Sequence, residues 1–66
     1  MNTVTVTCKR RDRFTVAFSQ LGDREFGPWS LAETVRDLRI SALLSAQDAR
    51  DLVLTAATAG TATRAL

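Results

Sequence analysis

The sequence predicts an α+β domain, an antiparallel meander of two or three strands followed by two helices packed on one face. Three observations predict it. Residues 3–8 and 14–19 alternate polar and apolar side chains with a period of two. Gly27-Pro28 then breaks the chain. Beyond it, two Ser-x-x-acid starts, Ser30-Leu31-Ala32-Glu33 and Ser45-Ala46-Gln47-Asp48, each lead into apolar residues at helical spacing.

The first strand is expected over about 3–8, where Val4, Val6 and Cys8 alternate with threonines, and the second over about 14–21, where Phe14, Val16 and Phe18 share one phase. Antiparallel pairing that keeps both apolar sets on one face sets Cys8 opposite Phe14, Val6 opposite Val16 and Val4 opposite Phe18. A slip of one residue would turn one set to water, so the pattern specifies the register. The same register makes Arg10-Arg11-Asp12 a three-residue loop, with aspartate at the position that favours left-handed backbone. It also sets Lys9 opposite Arg13, a like-charged pair that costs several tenths of a kcal/mol, roughly.

Gly22-Asp23 reads as a second, two-residue turn, and a short stretch over 24–27 is the optional third strand. That turn would set Phe26 opposite Ser19, on the face away from Val16 and Phe18. A second subunit or Trp29 would then have to cover Phe26. Trp29, between Gly-Pro and the helix start, is expected to pack the helix entry against the core.

The first helix is expected over about 31–41, with Leu31, Val35, Leu38 and Ala42 as its apolar stripe. The second is expected over about 46–59, with Ala49, Leu52, Val53, Ala56 and Ala57 facing inward and Gly60 as the left-handed stop. Ile40, Leu43, Leu44 and Leu54 fall off these stripes. No linker divides the chain, so residues 1–60 are read as a single domain, with 61–66 as a fraying tail.

Sixty-six residues that are 45% apolar and 24% charged describe a globular chain with a thin core. A lone cysteine closes no internal disulfide, and the absence of histidine removes the usual zinc sets and the commonest general base. Cys8 shares the phase of Val4 and Val6, which suits a small core residue better than a nucleophile. The acidic pairs Glu33/Asp37 and Asp48/Asp51 have the spacing of solvated helix faces, and the first acid of each is explained by capping. No catalytic, metal-binding or cofactor-binding residue is therefore nominated. No apolar run approaches membrane-spanning length, and the N-terminus lacks a secretory pattern, so a cytoplasmic location without membrane contact is expected.

Two contact surfaces remain. Residues 9–13, Lys-Arg-Arg-Asp-Arg, carry +3 against +2 for the whole chain, so Lys9, Arg10, Arg11 and Arg13 form a local basic tip suited to phosphate or base edges. Phe26, Ile40, Leu43, Leu44 and Leu54 supply apolar surface for a second copy, which a core this small would benefit from. The expectation is a non-enzymatic, self-associating interaction module, a dimer by preference. The alternative is a nucleic-acid-binding regulator that uses the tip. Nothing in the pattern indicates a small-molecule ligand or a cofactor.

Overall fold

The fold is taken from a computed structural model that describes residues 2–66. Its elements are β1 (Thr3–Arg10), β2 (Arg13–Phe18), a single 3-10 turn (Ser19–Leu21), β3 (Glu25–Trp29), α1 (Leu31–Ser41), α2 (Ala46–Ala59) and β4 (Thr61–Ala65). The strands form one antiparallel sheet in the order β3-β2-β1-β4, and both helices pack on the same face. The α+β class holds, with four strands in place of two or three.

The central hairpin has the register set by its hydrophobic pattern: Val4 opposes Phe18, Val6 opposes Val16 and Cys8 opposes Phe14. Val4, Val6, Phe14, Val16 and Phe18 are all buried against Leu38 of α1 and Ala49, Leu52, Val53 and Ala56 of α2. On α1 the inward position is taken by Thr34 rather than Leu31, which is exposed. Thr34 is tolerated there because its hydroxyl donates to the Ser30 carbonyl at 2.7 Å, and among the described residues no buried side-chain polar atom lacks a partner.

Both helices begin as expected. Ser30 Oγ accepts the Glu33 N–H at 3.2 Å and the Glu33 carboxylate accepts the Ser30 N–H at 3.0 Å, a reciprocal capping box. Ser45 Oγ accepts the Asp48 N–H at 3.1 Å.

Two expectations are corrected. β2 stops at Phe18 instead of running to Leu21, because Ser19–Leu21 winds into a 3-10 turn that closes on Gly22 at φ 72°. The longer connection changes the register of β3. Phe26 opposes Val16, not Ser19, and so lies on the helix-covered face. Gly27-Pro28 does not end the strand. It forms a bulge that lets Trp29 oppose Phe14, so Phe26 and Trp29 share a face. Proline is accommodated because β3 is an edge strand, where a missing N–H is tolerated.

The second correction concerns residues 61–65. They do not fray but form β4, paired with β1 from Thr7 opposite Thr61 to Thr3 opposite Ala65. Gly60, at φ 93°, turns the chain out of α2 and back along the sheet. Ala62 opposes Val6 and packs on the core, while Thr61 and Thr63 stand on the uncovered face beside Thr7 and Thr5. The hydroxyls of Thr5 and Thr63 lie 2.9 Å apart.

Candidate interaction surfaces

The hairpin tip retains only part of the expected basic cluster. Asp12 takes the left-handed conformation, at φ 65°. A bulge between Cys8 and Arg10 then makes Arg10, not Lys9, the residue opposite Arg13. Lys9, in phase with Thr5 and Thr7, stands on the uncovered face, where its Nζ lies 3.1 Å from Glu25 Oε2. The same carboxylate accepts the Thr15 hydroxyl at 2.8 Å. The Thr15 hydrogen bond, then the Lys9 contact, hold the Glu25 carboxyl below its ordinary value.

Lys9 is therefore tied to the sheet. Arg10, Arg11 and Arg13 remain exposed, and among the described residues no acid lies within 4 Å of any of the three as a salt-bridge partner. Arg13 Nη1 donates to the Asp12 carbonyl at 2.9 Å. The charge of Arg13 adds to the lowering of the Glu33 carboxyl, which comes chiefly from the Ser30 backbone and side-chain hydrogen bonds.

A second surface runs along α1. At one end lies a recess of about 360 Å³ bordered by Phe18, Leu21, Phe26, Trp29, Asp37 and Ser41. Trp29 and Asp37 also border a shallower depression with Glu33, Arg36 and Ile40. Arg36 and Ile40 in turn border a third with Arg39 and Leu44, at the corner between the helices. One band thus links the edge strand to the start of α2.

The expected apolar contact residues divide along this band. Ile40 and Leu44 meet at the corner, and Leu43 lies in the turn beside them. Ile40 is 66% exposed and Leu43 86% exposed, whereas Leu44 is half-buried on the core. Phe26 lies at the other end, in the recess. Leu54 is exposed on α2 and borders none of the three depressions. Asp37, Phe18 and Trp29 have no special spacing in the sequence. Only the bulged register of β3 brings them to one recess.

Leu43 is also unusual in its backbone, at φ 56°. It is the left-handed residue after α1, from which the Leu44 N–H closes back on the Leu38 carbonyl at 3.3 Å. Glycine commonly fills this position because a Cβ is strained there; after α2 the positive φ falls one place earlier, on the cap residue Gly60 itself.

The acidic pairs have local duties. Glu33 closes the capping box, and Asp48 Oδ2 lies 3.2 Å from Arg64 Nη2 of β4. Among the described residues no group of three or more His, Cys, Asp or Glu side chains is placed to hold a metal ion. Among the described residues no helix is long and apolar enough to cross a membrane. No known family model, curated protein or solved structure matches this chain.

Proposed function

We propose that this chain is a non-enzymatic interaction module that associates with a second copy of itself through the corner formed by Ile40, Leu43 and Leu44. The observation that carries this reading is Leu43. A leucine in left-handed backbone costs about 1–2 kcal/mol, and here the side chain is held almost wholly in solvent, so it gains no burial in the monomer that a smaller residue would forgo. Contact with another apolar surface would compensate for that strain.

A second copy is the occupant with matching chemistry. The corner is rimmed by Arg36 and Arg39, with Glu33 one turn earlier on the same helix. Two α1 helices crossing antiparallel about a two-fold axis would set the arginines of each near the acid of the other, around a shared apolar centre.

Sedimentation velocity over a micromolar concentration series tests the reading. A dimer that dissociates on dilution supports it, and weakening by Ile40→Glu assigns the contact to this corner. A monomer throughout the series would overturn it.

A second reading rests on Arg10 and Arg11, exposed at the end of a two-stranded ribbon with no acid paired to either among the described residues. Such a ribbon fits a nucleic-acid groove. Replacing Arg10, Arg11 and Arg13 with serine and titrating duplex and single strands at two salt concentrations tests it. Each lost phosphate contact should flatten the logarithmic salt slope by about 1. Unchanged affinity and slope would remove this reading.

A further inference from the structure

We propose that the recess between β3 and α1 binds a small alkylated ammonium ion. Three aromatic side chains border it: Phe18 from the end of β2, and Phe26 and Trp29 from β3. A volume of about 360 Å³ lies near the small end of ligand pockets, which run roughly 300–1,000 Å³. The polar side is furnished by Asp37 and Ser41 of α1 together with Gln20 of the 3-10 turn. Asp37 presents a half-buried carboxylate, oriented by the Ser41 hydroxyl, which donates to Oδ1 at 3.2 Å.

The chemistry selects the class of occupant. Among the described residues no cation forms a salt bridge with Asp37, so its carboxylate stands beside the aromatic lining without a directly paired cation. Aromatic faces attract cations, and a desolvated position strengthens that attraction. An anion would be repelled by Asp37, and a neutral apolar molecule would leave the carboxylate unmatched. A bare ammonium or guanidinium group would lose water hydrogen bonds that a single carboxylate cannot replace. An alkylated ammonium has few such bonds to lose, and its methyl groups suit an apolar wall. Phe26 already draws one cation, since the Arg24 guanidinium carbon lies 5.7 Å from its ring centre.

This inference does not depend on self-association, because the recess is complete within one chain and shares no lining residue with the depression at the Ile40–Leu44 corner. The sequence pattern gave no sign of it, since its residues come from three separated segments.

Trp29 is the only tryptophan, so intrinsic fluorescence reads the recess directly. The full chain is titrated at constant ionic strength with choline, with tetramethylammonium and with the uncharged carbon isostere of choline. Both cations should produce a saturable change, with choline binding about tenfold more tightly than its isostere. Asp37→Asn, checked for folding by circular dichroism, should weaken choline several-fold toward the affinity of the isostere while leaving the isostere unaffected. Phe26→Leu should weaken both cations several-fold. Equal binding of choline and its isostere, no saturable change, or unaltered binding by Asp37→Asn would each overturn the proposal. Affinity that varies with protein concentration would assign the recess to a second copy, and tighter binding of a lysine-containing peptide would assign it to a protein partner. Either result overturns the small-cation assignment.

Discussion

Gly27 and Leu43 both occupy left-handed backbone, at φ 112° and 56°, and substitution should act in opposite directions at the two sites. A Cβ on Gly27 would lie 2.8 Å from the Phe14 carbonyl oxygen and 3.1 Å from the Trp29 nitrogen, both backbone atoms that cannot swing aside. Gly27→Ala should therefore destabilise the fold by about 1–3 kcal/mol in chemical denaturation, through strain and loss of the bulge. Leu43→Gly should stabilise the monomer by up to about 1 kcal/mol, since relief of strain outweighs the extra entropy of glycine. Under the proposed function the same change should weaken the dimer, so melting of dilute protein and sedimentation of concentrated protein should move oppositely. At this scale the sequence was partly legible. Asp12 announced its left-handed turn, because aspartate tolerates that region. Leu43 gave no such sign, because leucine is a poor choice for the backbone it adopts.

Among the elements, the β3 edge depends on a small polar cluster. Glu25 accepts from Thr15 and lies against Lys9, and its carboxyl is held below the ordinary 4.5 of the free group. A depressed carboxyl stabilises the fold above its unfolded value. That stabilisation is lost as pH falls through the folded value, so the affected window lies below about pH 4.5. Glu33 acts in the same direction through its capping hydrogen bonds. Thermal melts between neutral and acid pH should show Glu25→Gln melting below the parent at neutral pH, with the gap narrowing in acid. Thr15→Val should also narrow the acid-side loss, because it removes the largest cause of the depression. The helices were the most legible elements, since their capping serines and acids act within four residues. β3 was misregistered because the 3-10 turn leaves no periodic signature in Ser19-Gln20-Leu21. β4 was missed for a different reason. Thr-Ala-Thr-Arg-Ala does alternate, but its inward residues are alanine and arginine, and the partner strand lies more than fifty residues away.

At the scale of the molecule, β4 is as structural as the central hairpin. It covers the outer edge of β1, adds Ala62 to the core and brings Arg64 to Asp48 at the first turn of α2. A chain ending at Gly60 would leave β1 as an open edge. Each lost ladder hydrogen bond contributes on the order of 1 kcal/mol net, so truncation should cost at least about 2 kcal/mol and broaden the unfolding transition. Comparing denaturant midpoints and slopes of the truncated and full chains checks this. The core itself was legible, since all five of its strand positions and all four of its α2 positions recur at the expected period, although Ala57, also expected to face inward, is exposed. The recess and the corner were not, because each is assembled from residues that become neighbours only after the sheet register and the helix crossing are set.

The pairing of β1 with β4 also brings the two ends of the described chain together, with the Leu66 N–H donating to the Asn2 carbonyl at 2.9 Å. The most distant contact along the chain is thus one of the shortest in space. A circular permutant that joins these ends and opens at Arg11-Asp12 would turn β4 and β1 into a local hairpin and make β1–β2 the distant pair. Folding rates follow such sequence separations. Stopped-flow refolding of the permutant should therefore show which strand pair is rate-limiting, with faster refolding if closure of β4 onto β1 limits the native order.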